Sequence, residues 1–90
     1  MGMSAVQYKI MPEGADTDLD KVTKIANEKI EELGGMKGES ETVPIAFGLK
    51  SLTLTFAFPE EKEVDEVGNA LAEIEGVSSA EMTDYRRALG

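Results

Sequence analysis

Alternation of apolar and polar residues along the chain predicts two central β-strands. The clearest alternation covers residues 48–58, in which one face is apolar and the other carries Ser, Thr and Ala. The apolar face of this segment consists of Leu52, Leu54, Phe56 and Phe58. Residues 5–11 show the same period, with Val6, Tyr8 and Ile10 between polar neighbours. Each of these segments is therefore predicted to bury one face.

Two further strands are predicted from weaker patterns. Residues 36–44 are interrupted by Gly38 and end at Pro44, which has no N–H to donate to a neighbouring strand. These features favour an extended segment near the edge of a sheet. Residues 77–85 alternate again and direct two side chains, Ala80 and Met82, toward the core.

Apolar residues at spacings of three and four predict two helices. The first covers about 16 residues, begins after N-capping side chains in residues 16–18, and stops at Gly34 and Gly35. Its apolar face consists of Leu19, Val22, Ile25, Ala26, Ile30 and Leu33. The second helix is predicted to open at residues 59–61 and to end with Gly76 as its C-cap. Its apolar face consists of Val64, Val67, Leu71 and Ile74, and Gly68 within it indicates close packing against the sheet.

The order of these elements, β-α-β-β-α-β, predicts an α+β fold. Each helix has a single apolar face, so both helices can pack against the same face of the sheet. A four-stranded antiparallel sheet with both helices on one side, the ferredoxin-like plait, satisfies this pattern. The other sheet face is predicted to be polar and open. Its residues include Gln7, Lys9, Ser51, Thr53 and Thr55.

Length and composition narrow the function classes. Ninety residues favour a single domain covering residues 1–90. Nine basic against 18 acidic side chains give a net charge of −9, which argues against direct binding to nucleic acid. The chain has no Cys and no His, so thiolate metal sites, disulfides and imidazole catalysis are excluded. We expect no enzymatic activity, no cofactor, no metal site and no membrane span, and a cytoplasmic location.

Two short segments remain as candidates for function. The first is the tight connection at residues 44–48, where Phe47 precedes Gly48 and is either a plug of the core or an exposed wedge. The second is Arg86-Arg87, which are the only arginines of this acidic chain and lie at the end of the last predicted strand. A terminal basic pair is either a solubilising tail or a mobile cation suited to an anionic pocket of a partner.

These segments resemble a known family. The run Pro-Ile-Ala-Phe-Gly-Leu-Lys at residues 44–50, together with residues 74–77 and 83–87, is similar to archaeal translation elongation factor 1-beta and to the catalytic C-terminal domain of its eukaryotic counterparts. The resemblance covers essentially the whole chain. It implies the ferredoxin-like fold and a role as guanine-nucleotide exchange factor for the GTPase elongation factor 1-alpha.

The resemblance also implies partner-binding residues. In eukaryotic members, a Phe of the Pro-x-x-Phe-Gly motif and a Lys near the C-terminus contact the GTPase around its nucleotide and magnesium site. The Phe matches Phe47, and the Lys aligns with Arg87. Gly48, Lys50 and Arg86 are added as expected contacts; Lys50 is on the strand that leaves the Phe47 loop and either touches the partner or lies on the open sheet face.

Three other function classes stay open at this point. One is an enzyme that works through carboxylates alone, although nothing in the sequence places two carboxylates together. A domain of the same fold could bind a small molecule and act as a regulatory module. An RNA-binding plait would need aromatic residues on the open sheet face, and both the polar residues there and the net charge disfavour it.

Overall fold

Six elements follow one another in the predicted order. The computed structural model describes residues 2–87, so Met1 and residues 88–90 of the predicted domain lie outside the described residues. The elements are β1 (Met3–Pro12), α1 (Leu19–Glu32), β2 (Met36–Pro44), β3 (Lys50–Pro59), α2 (Asp65–Ala72) and β4 (Val77–Arg87). The strands form one sheet in the order β2-β3-β1-β4, and every neighbouring pair is antiparallel. The predicted ferredoxin-like α+β fold is confirmed, and β2 is the predicted edge strand.

The core lies between the helices and one face of the two central strands. In β3 the four predicted apolar residues are all buried, and each pairs with or lies beside an inward residue of β1. The buried residues of these two strands are Val6, Tyr8, Ile10, Leu52, Leu54, Phe56 and Phe58. The helices cover them with Val22, Ala26, Ile30, Val67 and Leu71. Burying each large side chain contributes about 1.5–3 kcal/mol, so this layer supplies most of the stability of the fold.

Helix α1 begins as its sequence predicts. The Asp18 carboxylate accepts hydrogen bonds from the N–H groups of Asp20 and Lys21, at 3.1 and 3.2 Å. These bonds satisfy donors that the first helical turn leaves free, which is the usual N-cap arrangement. At the other end Gly34 has φ +100°, the left-handed conformation that ends the helix.

Helix α2 is shorter than predicted at both ends. Residues 60–64 form turns, and the helix begins only at Asp65, since Pro59 is still paired with Met3 in the sheet. The helix ends at Ala72. The predicted C-cap Gly76 instead lies in the tight turn that enters β4, with φ +94°.

The predicted close approach at Gly68 is present and involves a side chain. A Cβ added at Gly68 would lie 2.8 Å from the hydroxyl oxygen of Tyr8, which is on β1. That hydroxyl donates a hydrogen bond of 3.4 Å to the carbonyl of Val64. Glycine at this position therefore lets α2 lie against the Tyr8 ring, which itself stacks on Phe56 with ring centroids 6.0 Å apart.

The open face of the sheet is polar in its centre. Gln7 donates a hydrogen bond to the Thr55 hydroxyl at 3.3 Å, and the Thr83 hydroxyl donates to the Gln7 side-chain oxygen at 3.1 Å. A register shift between β1 and β4 accompanies these contacts. Among residues 2–87 no helix is long and apolar enough to span a bilayer.

Candidate functional site

The β2–β3 hairpin and the end of β4 lie at opposite ends of the sheet. Pro44 pairs with Lys50 next to the hairpin, whereas Arg87 pairs with Ser4, which in turn pairs with Phe58 near the end of β3. At ~3.3 Å per residue, the strand between Lys50 and Phe58 spans about 25 Å. The structure therefore does not bring the two candidate segments together.

The hairpin closes through a tight turn, which we call the hairpin tip (residues 45–49). The Leu49 N–H donates to the Ala46 carbonyl at 3.0 Å, and the Ile45 N–H donates to the Leu49 carbonyl at 2.9 Å. Between these bonds Phe47 has φ +58° and Gly48 has φ +76°. Two consecutive positive φ angles with this hydrogen bond are typical of a type I′ turn, whose twist matches that of the flanking strands.

Phe47 is almost fully exposed in this turn. Its relative exposure is 97%, so the alternative that it plugs the core is wrong. A positive φ angle is uncommon for a bulky residue and costs of order 1–3 kcal/mol. Exposed apolar surface adds a second cost. Neither feature stabilises the fold of the free chain.

Two other apolar residues extend the exposed surface of Phe47. Val43 and Ile45 are 39% and 41% exposed. Together with Phe47 they occupy every second position of residues 43–47, a spacing that is visible in the sequence. The hairpin tip and the last residues of β2 thus carry three exposed large apolar side chains.

Lys50 does not lie on the open sheet face. It precedes Ser51, which pairs with Val43, and it shares the side of β3 that faces the helices. There it lines a cleft with Gly48 from the hairpin tip and with Asp18 and Asp20 from the start of α1. Lys50 is exposed, so its ammonium group is accessible to a partner that contacts the hairpin tip.

The two arginines at the end of β4 point to opposite sides of the sheet, as adjacent strand residues do. Arg86 pairs with Ala5 on the open face, and its Nε donates to the Asp84 carboxylate at 3.1 Å. Arg87 pairs with Ser4, whose side chain is buried on the helix side. It lines a shallow cleft with Gly2, Glu60 and Glu61.

Sequence reasoning missed two features near this end. The open face has an apolar groove beside β2, where the bulge at Gly38 leaves no side chain; the groove is lined by Met3, Ala5, Met36 and Ala57, and Met36 is 63% exposed. The other feature is Tyr85, whose hydroxyl accepts a hydrogen bond of 3.0 Å from Ser4. Tyr85 thereby ties the last residues of β4 to the first residues of β1.

Comparison with known proteins identifies the family. Residues 5–87 match the family model described as the EF-1 guanine nucleotide exchange domain. The chain is 43% identical to "Elongation factor 1-beta" of Metallosphaera sedula over 86 residues, which cover 91% of each chain. It is 42% identical to the protein of that name from Methanococcoides burtonii, covering 97% of this chain and 98% of the relative. The corresponding protein of Methanothermobacter thermautotrophicus is 37% identical over 99% of this chain and 100% of its own. The chain belongs to the family of EF-1 guanine nucleotide exchange domains.

Proposed function

We propose that this protein is the exchange factor that promotes release of GDP from the translation GTPase elongation factor 1-alpha. The observation that carries the proposal is the family match, which covers nearly every described residue and all six elements except the first two residues of β1. The exposed and strained Phe47 supports it, because strained residues cluster at functional sites and this ring is accessible to a partner.

The proposed mechanism weakens the magnesium and phosphate site of the GTPase. A GTPase holds its nucleotide through backbone donors, a lysine, and a magnesium ion that bridges the phosphates to the protein. A guanidinium group placed near the metal position repels the ion and cannot coordinate oxygen ligands in its place. The affinity for nucleotide then falls without any covalent step.

Arg87 is the better candidate for this cation. Arg86 is engaged with Asp84 through its Nε, whereas Arg87 lies on the other side of the strand beside carboxylates of the turn after β3. Partner phosphates or carboxylates that accept from Arg87 would be recognised through the planar fork of its guanidinium group.

Phe47, Gly48 and Lys50 are proposed to make a second, separate contact with the same GTPase. About 25 Å of sheet, at ~3.3 Å per residue of β3, lies between the two ends. The partner must therefore offer two surfaces, an anionic one for Arg87 and an apolar one for Phe47. Binding at the apolar surface supplies affinity, and the cation at the other surface opposes the metal.

Linkage sets the thermodynamic outcome. A factor that binds the nucleotide-free GTPase more tightly than the loaded one lowers nucleotide affinity by the same ratio. This holds for GDP and GTP alike, so the direction of net exchange comes from the excess of free GTP over GDP.

Release of a fluorescent GDP analogue from elongation factor 1-alpha tests the proposal. The wild-type chain at micromolar concentration should accelerate release in the presence of magnesium and excess unlabelled GDP. Arg87→Ala should slow the accelerated rate by about tenfold or more, the size expected for a dominant interface residue. Lys24→Ala is the matched control, because it also removes one exposed charge but lies on α1.

Chelation of magnesium separates the mechanism from simple binding. If Arg87 acts against the metal ion, its removal should matter much less once the ion is gone, whereas a Phe47→Ala defect should persist. An equal Arg87→Ala defect with and without magnesium would refute the metal mechanism. No acceleration by the wild-type chain would refute the exchange function, and saturable stabilisation by GDP or an amino acid alone would favour a small-molecule-binding domain.

A further inference from the structure

Gly48 is a glycine whose side-chain position is empty space. A Cβ added there meets no atom within 4 Å. At Gly38 and Gly68, by contrast, the added atom would fall against the Thr55 carbonyl and the Tyr8 hydroxyl. Packing therefore explains glycine at those two positions but not at Gly48.

The backbone conformation supplies the reason instead. Gly48 has φ +76°, and it follows Phe47 at φ +58°. A type I′ turn requires positive φ at both central positions, and glycine is the residue that adopts this region without cost. Since Phe47 already occupies this region against its own preference, a second unfavourable residue would destabilise the turn further.

The conformation of the turn determines where the Phe47 side chain points. The Leu49 to Ala46 hydrogen bond closes the turn with Phe47 outward and 97% exposed. A turn of another type would rotate the Cα–Cβ bond of Phe47 relative to the sheet. Its ring would then point in a different direction from the hairpin tip.

We propose that Gly48 is a positioning residue for the exchange reaction: it holds the type I′ turn that presents Phe47 to the GTPase. This inference rests on the proposed function. It assigns to Gly48 a role through the backbone of Phe47, which is distinct from the contact with the GTPase proposed above.

Two substitutions at Gly48 separate conformation from size. Asparagine is larger than alanine but adopts positive φ far more readily. If conformation matters, Gly48→Ala should impair exchange more than Gly48→Asn does. If the partner needs an empty position at Gly48, the larger asparagine should be the worse of the two.

The exchange assay above measures both variants over a range of factor concentrations. Gly48→Ala should raise the half-saturating concentration by about 5- to 30-fold. A left-handed alanine costs about 1–2 kcal/mol, which lowers the fraction of molecules with the type I′ turn by this factor. The rate at saturation should stay close to that of the wild type, because the GTPase binds the fraction of molecules whose turn still presents Phe47 outward. Gly48→Asn should lie between alanine and the wild type.

The outcomes are distinguishable. Wild-type behaviour of Gly48→Ala, or a stronger defect in Gly48→Asn, would overturn the positioning role while leaving the exchange function intact. A wild-type chain without activity would instead overturn the exchange function itself. Circular dichroism and urea unfolding of both variants check that the sheet is intact, and a global loss of fold in Gly48→Ala with none in Gly48→Asn would again locate the effect in backbone conformation.

Discussion

Two of the three phenylalanines of this protein are buried in the core, and the third is exposed in a turn. Phe56 and Phe58 on β3 are 3% and 1% exposed, and their rings meet edge to face with centroids 6.5 Å apart. Phe47, in the turn just before the same strand, is 97% exposed and has a positive φ angle. Phenylalanine thus stabilises the fold at positions 56 and 58 and opposes folding at position 47.

This difference separates residues that stabilise a small domain from residues that serve binding. The core phenylalanines gain hydrophobic and dispersion energy within the chain, so folding alone explains them. Phe47 gains nothing comparable, because its ring is almost fully exposed among the described residues. A residue that costs stability in the free protein is best explained by an interaction that the free protein lacks.

The largest expected effect comes from the core side of the comparison. Phe58→Ala should lower the free energy of unfolding by about 3–5 kcal/mol, because it removes a fully buried ring and leaves a cavity beside Phe56 and α1. Urea unfolding followed by circular dichroism measures this loss. A decrease below about 1 kcal/mol would contradict the assignment of Phe58 to the tightly packed core.

At the hairpin tip we expect the opposite pattern. Phe47→Asn replaces a strained residue with one suited to the first central position of a type I′ turn. Its free energy of unfolding should be unchanged or higher by up to about 1 kcal/mol. Exchange activity should nevertheless fall by about 30-fold, equivalent to about 2 kcal/mol of lost interface energy.

A matched variant sharpens this second prediction. Phe47→Leu keeps an apolar side chain but also keeps the unfavourable positive φ. It should therefore be less stable than Phe47→Asn yet more active in exchange. Both variants having wild-type activity would show that the exposure of Phe47 serves no contact with the GTPase.

Much of the fold was predictable because local and tertiary signals agree. The alternation of apolar and polar residues in β3 matches the alternation of buried and partly exposed residues in the strand. Asp18 caps α1 through its side chain, as its position before the helix predicts. Helix α2 was less predictable at its ends. The spacing of its apolar residues extends to Ile74, which is buried but lies in the turn after the helix.

The candidate site was predictable in its residues but not in its geometry. Phe47 followed by Gly48 is compatible with several turns; the φ angles of both residues define the turn, and the 97% exposure of Phe47 shows that its ring points outward. The separation of Phe47 from Arg87 follows from the order of the elements. In an antiparallel β-α-β-β-α-β sheet, the hairpin between the second and third strands lies opposite the end of the fourth, whatever the side chains are.

The smallest effect concerns the buried ring that stacks on Phe56. Burial, and then the nearby Asp65 carboxylate, raise the pKa of the Tyr8 hydroxyl above its ordinary value of 10.0. Because the folded state holds this proton more tightly than the unfolded chain does, the stabilisation is fully present below the unfolded pKa and is lost as the pH rises through the folded pKa. Urea unfolding from about pH 9 to about pH 11 should therefore show a steeper loss of stability in the wild type than in Tyr8→Phe. All other ionisable groups are common to both proteins, so the difference between the two slopes reports Tyr8 alone. Equal slopes would mean that this hydroxyl ionises as readily in the folded core as in water, in contrast to the tight burial that distinguishes this part of the molecule from the hairpin tip.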